Sequence, residues 1–205
     1  MAVQWLREMV QARMCVRSAV TNGGETLARI TISGHPGSGT STLVNGICQH
    51  KGWTSLNGGD IFRGEAKNRG LSLAEFEQIC AEDESVDRSL DDILKQHLLN
   101  PEGYDVLESR LCGWWAYKLG IDCVRLWLHS SEEVRAQRVV VREGISLEQA
   151  ISDNKKRTNV DKVRFLEMYG INPEDKDAYT HIIDASDMNA EQVLSEVLKI
   201  LEDSK

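Results

Sequence analysis

The chain is poor in several things that would point to particular function classes. Three prolines and a 41 % apolar content in 205 residues exclude collagenous, mucin-like and fully disordered chains. Cys15, Cys48, Cys80, Cys112 and Cys123 form no C-x-x-C pair and are odd in number, so reduced, structural thiols are expected. His35, His50, His97, His129 and His181 show no i, i+4 pair and no cysteine partner at zinc spacing, so no structural metal is expected. No apolar run reaches the roughly 20 residues of a membrane span, and a soluble, cytoplasmic protein is expected. Cationic charge is also scarce, with a net charge of −8. That balance disfavours stable nucleic-acid or membrane-surface binding, which gains affinity from lysine and arginine against phosphates.

What charge there is falls unevenly. Residues 71–109 carry a net −9 and residues 170–205 a net −6, whereas residues 134–169 carry +3. Fourteen of the 24 basic residues are arginine, a local excess that needs a reason in an acidic chain.

Residues 1–28 read as a separate extension, helical or disordered. Val3, Leu6, Met9 and Val10 follow a helical period that ends at the turn signal Asn22-Gly23-Gly24. Glu8 and the shortage of serine speak against a transit peptide. From Arg29 onward, short apolar runs at 30–32, 54–56, 104–107, 124–128 and 181–183 alternate with longer helical periods. Five such strands separated by helices predict a three-layer α/β/α domain over 29–205 with a parallel sheet covered on both faces. Ser72 with Glu75 and Ser146 with Gln149 predict capping boxes, and Asn100-Pro101-Glu102-Gly103 closes the helical stretch 85–99.

Between the first strand and the next helix stands Gly34-His35-Pro36-Gly37-Ser38-Gly39-Thr40-Ser41-Thr42. It matches G-x-x-x-x-G-K-[ST] everywhere except at the lysine, where Thr40 stands. Its glycines let successive N–H groups turn inward on a phosphate, the following helix adds its positive end, and Ser41 offers a hydroxyl to Mg²⁺. The loop therefore predicts ATP binding at 34–42. Threonine cannot neutralise β- and γ-phosphate oxygens as lysine does, so an enzyme needs other cations here. Asp60 and Arg63 follow the second strand, and Glu108 and Arg110 follow the third, at the sheet edge where ligands bind. Arg135, Arg138 and Arg142 share one helix face, as do Arg157, Asp161 and Arg164. Arginines so placed repel one another unless something anionic lies against them; a solvated face neutralised by nearby acids is the plainer alternative.

Together these stretches resemble the archaeal-type cytidylate kinases, P-loop nucleoside monophosphate kinases. The likeness is carried by 32–42, Gly-Asp-Ile-Phe-Arg at 59–63, Leu-Ser-Leu-Ala-Glu-Phe at 71–76, Glu-Ser-Arg-Leu at 108–111, Val-Arg-Ala-Gln-Arg at 134–138, Arg-Glu-Gly-Ile-Ser at 142–146 and Tyr-Gly-Ile-Asn at 169–172. The resemblance implies a sheet of order 2-3-1-4-5, an acceptor-binding region at about 58–100 and a helical lid at about 138–168. It implies phosphoryl transfer from ATP, with Mg²⁺, to CMP or dCMP. It assigns Asp60, Arg63, Glu108, Arg110, Arg157, Asp161 and Arg164 to the acceptor, and Arg138, Arg142, Arg157 and Arg164 to catalysis. A threonine in place of the loop lysine is common in that family, whereas His35 departs from its more usual proline. Another small-molecule kinase of the same fold, such as an adenylate kinase, and a nucleotide-binding regulator without fast transfer stay open as alternatives. No apolar stripe marks an interface, and a monomer is expected.

Overall fold

The computed structural model describes residues 28–204. Of the extension expected over residues 1–28, only Ala28 is among them, buried in the core, and the rest lies outside the described residues. Among the described residues the elements are β1 (Ile30–Gly34), α1 (Thr40–Lys51), β2 (Ser55–Asn57), α2 (Gly58–Asn68), α3 (Leu73–Glu82), α4 (Glu84–Leu99), β3 (Val106–Glu108), α5 (Cys112–Lys118), β4 (Val124–His129), α6 (Glu132–Glu143), α7 (Leu147–Tyr169), β5 (His181–Asp184) and α8 (Ala190–Asp203). The strands form one sheet of order β2-β3-β1-β4-β5, and every neighbouring pair is parallel. This is the predicted architecture.

All five residues of β1 are buried, as a central strand covered on both faces requires. Ile30 and Ile32 pack with Val44 and Ile47 of α1 and Val193 and Val197 of α8. On the other face Leu107 joins Leu94 and Leu98 of α4, Trp115 of α5 and Phe165 of α7. A satellite core of Ala66, Phe76, Cys80 and Leu90 holds α2, α3 and α4 together. Ala136, Val139 and Ala150 join α6 to α7.

Local chemistry sets the boundaries. The third strand begins at Val106 instead of residue 104 because Asp105 is occupied before the ladder starts. Its carboxylate takes Thr54 N and Oγ1 at 2.9 and 3.0 Å, and its carbonyl takes Arg29 N at 2.9 Å. The box at Ser72 forms with both halves. At Ser146 only half forms: Ser146 Oγ accepts from Gln149 N, but the Gln149 side chain donates to Asp153 one turn later. Val160, Val163 and Leu166 on α7 are each more than half exposed, a short apolar row that charge-dominated patterning obscures in the sequence. No described helix is long and apolar enough to cross a membrane.

Gly113 allows α5 to lie close on Tyr179, in the segment that leads into β5. A methyl group added there would meet the Tyr179 ring at 2.6 Å. That ring is buried, and its hydroxyl donates to Pro173 O at 2.7 Å, so it has little room to yield. Gly113→Ala is expected to lower unfolding free energy by about 1–3 kcal/mol in urea titration, the usual cost of overpacking.

Candidate active site

The loop between β1 and α1 turns through two left-handed glycines, Gly37 at φ +82° and Gly39 at φ +97°. Gly37 also has to be small, because a Cβ there would lie 2.7 Å from the carbonyl oxygen of Arg135 at the start of α6. The outward carbonyls are held by three guanidinium groups from two segments, the turn after β3 and α6. Arg110 Nη1 donates to Gly34 O at 2.8 Å, Arg135 Nη1 to Pro36 O at 3.3 Å and Arg138 Nη1 to Ser38 O at 2.7 Å. Arg138 also donates to Ser130 Oγ and Ala185 O, both at 2.9 Å. Ser38 is buried within the loop and its hydroxyl has no hydrogen-bond partner among the described residues. A buried donor without an acceptor is costly, and a ligand oxygen would satisfy it.

Thr40, at the lysine position of the motif, faces the sheet. Its Oγ1 donates to Glu108 Oε1 at 2.8 Å, and Asn57 Nδ2 donates to the other Glu108 oxygen. Glu108 ends β3 and is opposite Asn57 at the end of β2 in the parallel register. Its burial pushes the carboxyl above the ordinary carboxylate range, with the Thr40 bond and then Arg110 drawing it back down. Asn57 serves two elements at once. Its Oδ1 caps α2 by accepting from Gly59 N and Asp60 N at 2.7 and 3.2 Å. Ser41 and Thr42 are exposed in the first turn of α1.

The remaining predicted residues divide into a connected set and an open set. Arg110 Nε donates to Asp161 Oδ2 at 2.9 Å, and Arg164 Nη2 donates to Asp161 Oδ1 at 3.1 Å. Arg164 Nη1 also lies 2.9 Å from Asp87 on α4. Burial raises the Asp87 carboxyl, and Arg164 opposes that rise. Arg63 is exposed and paired with Asp60 at 2.7 Å, Arg142 is exposed beside Glu143, and Arg157 is exposed on α7. The shared face expected of Arg135, Arg138 and Arg142 therefore splits: the first two turn under the phosphate loop and the third faces solvent. His35 points away from the loop interior, edge-on to Trp127 at 5.1 Å between ring centres, with Nε2 2.9 Å from Glu174 Oε1. Burial lowers its pKa, in keeping with a neutral ring.

Beside the loop, Ser38, Gly39, Thr42, Leu128, Arg138 and Asn189 line a cleft of about 270 Å³. Burial pushes the Cys80 and Cys123 thiols up to about 12, which suits structural roles. No cluster of three or more metal-ligating His, Cys, Asp or Glu side chains occurs among the described residues. Asn57, Asp87 and Arg135 were not marked as site residues by sequence pattern. Asn57 did carry a signal, an N-cap residue between a strand and a Gly-Gly pair.

Thr40→Val removes one of the donors to a buried carboxylate while keeping the side chain's shape. It should cost about 1–3 kcal/mol of stability near neutral pH. The sign with pH follows from the lost bond, which raises the Glu108 pKa further. Protonated Glu108 needs that donor less, so the difference between the two proteins is largest above the folded-state pKa and shrinks as pH falls through it. Urea unfolding at about pH 8 and about pH 5 measures this, and a deficit that grows on acidification would contradict it.

Residues 33–144 match the family model described as an AAA domain. A cytidylate kinase of Pyrococcus abyssi is 38 % identical over 166 residues, covering 81 % of this chain and 89 % of that protein. One from Natronomonas pharaonis is 41 % identical over 151 residues, covering 73 % and 77 %. One from Archaeoglobus fulgidus is 32 % identical over 177 residues, covering 86 % and 96 %. Among solved structures, shikimate kinase from Acinetobacter baumannii superposes with a TM-score of 0.56 at 14 % identity, covering 88 % of this chain and 96 % of that one. A gluconokinase from Sinorhizobium meliloti 1021 gives 0.56 at 16 % identity, covering 86 % and 92 %. These two establish the shared fold. With the loop, the sheet order and three relatives above 30 % identity over most of their own length, the chain belongs to the cytidylate kinase family of nucleoside monophosphate kinases.

Proposed function

We propose that this chain transfers the γ-phosphoryl group of ATP to CMP or dCMP. The observation that carries the two-substrate reading is Arg110, whose one guanidinium donates both to Gly34 O of the ATP loop and to Asp161 of the acceptor set. A module that only bound nucleotide would have no use for a second cationic site joined to the first. The choice of cytidine over other bases rests on the names of the relatives.

In the reaction, an oxygen of the acceptor phosphate bonds to the γ-phosphorus in line with the bond that breaks to the β-phosphate oxygen, releasing ADP and a nucleoside diphosphate. The acceptor's second pKa is near 6, so it is already mostly dianionic at neutral pH and needs no general base. The protein's task is positioning and charge. Loop 34–42 holds the ATP phosphates, with the Ser38 hydroxyl as one donor, and the adjoining cleft takes the base. Arg63, with Asp60 beside it, and Arg110 grip the acceptor phosphate, while Asp161 and Arg164 hold the nucleoside end. Arg157 and Arg142, exposed in this structure, turn inward when α6 and α7 close and exclude water.

Mg²⁺ fits the donors present, since it takes few protein ligands and keeps waters and phosphate oxygens. Ser41 would hold it directly and Glu108 through water. When bound, it neutralises charge between the β- and γ-phosphates. The two helices α6 and α7 are suited to act as a lid. The C-terminal half of α7 is tied to the body by Arg164–Asp87, Arg110–Asp161 and Arg88 Nη2 donating to Met168 O at 3.0 Å. Its N-terminal half packs on α6 through Ala150.

ADP release from Mg-ATP measured with CMP, dCMP, UMP and AMP tests the proposal. CMP and dCMP should be the preferred acceptors. Release that does not depend on any acceptor would overturn the kinase reading, whereas preference for AMP would overturn only the choice of base. Arg63→Ala should raise the acceptor KM by about tenfold or more, the value of one charge-assisted hydrogen bond, and leave the ATP KM within about twofold. Equal rises in both would make Arg63 a structural residue.

A further inference from the structure

The loop lacks its lysine, and three guanidinium groups lie behind it. Every described peptide bond is trans, so within each peptide unit the N–H points opposite to the carbonyl. Gly34 O, Pro36 O and Ser38 O each accept from an arginine. The N–H groups of His35, Gly37 and Gly39 in the same three peptide units therefore point away from the cations. A hydrogen bond to one end of a peptide group polarises the other end, and such chains strengthen cooperatively in a poorly solvated setting. Alternate peptides of the loop are thus loaded from behind.

Arg135 is the informative member. Arg110 is neutralised by Asp161, and Arg138 satisfies both guanidinium ends on the loop, Ser130 and Ala185. Arg135 is 8 % exposed, forms no ion pair among the described residues and leaves Nε without a partner. Glu132, which pairs with Lys155, and Glu174, which meets the neutral His35 ring, favour its charge from beyond ion-pair distance, but burial outweighs them. A guanidinium buried this far without an acid in contact is expensive, and replacing such a group by an apolar one usually costs little or stabilises. Its stem is fixed by Gly37, which packs on the Arg135 backbone with no room for a Cβ.

We propose that Arg135 is a positioning residue for the ATP phosphates: acting through the Pro36–Gly37 peptide, its buried charge, with no acid in contact, replaces, from behind the loop, the cation that Thr40 does not provide in front. The inference rests on the loop being the ATP site, and it assigns Arg135 a role in donor binding that neither residue spacing nor its distance from the acceptor set indicates.

The test compares ADP binding by calorimetry, the KM values of ATP and CMP, and thermal unfolding without nucleotide, in the wild-type protein, Arg135→Met and Arg135→Lys. Arg135→Met should weaken ADP binding by about tenfold, the effect of one charge on another about 12 Å away at an effective dielectric near 20. It should raise the ATP KM in parallel and leave the CMP KM within about twofold. The nucleotide-free protein should lose no thermal stability, since a buried unpaired charge has been removed. Arg135→Lys, which restores charge, should bring ADP affinity back to within about threefold of wild type. Unchanged ADP affinity in Arg135→Met would overturn the proposal, as would parallel rises in the ATP and CMP KM values with a fall in stability, the pattern of a merely structural arginine. Should the methionine variant fail to fold, Arg135→Gln keeps a donor for Pro36 O without the charge and carries the same comparison. Failure of the wild-type protein to bind ADP would overturn the reading of the loop itself, a separate outcome.

Discussion

A carboxylate taken out of water must be given donors, and Glu108 obliges two parts of this molecule to meet. It ends the strand between β1 and β2, and its burial would drive the proton onto it if nothing opposed that. The donors come from both sides, Thr40 at the start of α1 and Asn57 at the end of β2. Thr40 fixes the exit of the phosphate loop. Asn57, by capping α2, fixes the helix that carries Asp60 and Arg63. One buried group thereby sets the phosphate loop and the helix proposed to hold the acceptor against each other. Reactions that depend on in-line alignment are sensitive to shifts of about an ångström, so a shared fixed point is of direct use to the chemistry.

The same bond explains why the loop dispenses with lysine. A lysine at residue 40 beside Glu108 would form an ion pair with it and be drawn back from the phosphates. With threonine, the position becomes part of the scaffold and positive charge moves to the arginines on the far side of the loop. Arginine suits this better than lysine, since its planar fork can hold two carbonyls at once, as Arg138 does with Ser38 and Ala185. The arginine excess in an acidic chain is thus not a surface property. Segments 71–109 and 170–205, which carry the acidic total, form mostly exposed helix faces of α3, α4 and α8, while the cations converge on one end of the sheet.

The fold was legible because apolar runs of strand length alternate with helical periods, and β1 is apolar or small at every position. Strand ends were less so, since Asp105 and Glu108 terminate or extend pairing through side-chain bonds that periodicity does not register. The phosphate loop was legible as a motif, but its chemistry was only half visible. Thr40 and Glu108 are 68 residues apart, and no spacing rule links them. Arg135, Arg138 and Arg142 look equivalent on a helical wheel. What separates them is Gly37, which brings the α6 backbone against the loop at Arg135 and leaves Arg142 beyond its edge.

Acids placed among the cations of the acceptor side raise a further question, because Asp161 and Asp87 oppose the charge that must bind a phosphate. Asp161 holds Arg110 and Arg164 in fixed directions, and Asp87 holds Arg164 from α4. Without them two half-buried guanidinium groups would repel each other and turn toward solvent. An incoming phosphate then meets cations already aimed, and exchanges one anionic partner for another instead of ordering free side chains, whose loss of freedom is a main cost of binding. The carboxylates also disperse the charge before substrate arrives. Because Asp161 stands on α7 and its partner Arg110 lies outside that helix, an anion that displaced Asp161 would loosen one tie between α7 and the body. Under the proposed function, acceptor binding and lid movement would then be coupled through the Asp161–Arg110 pair.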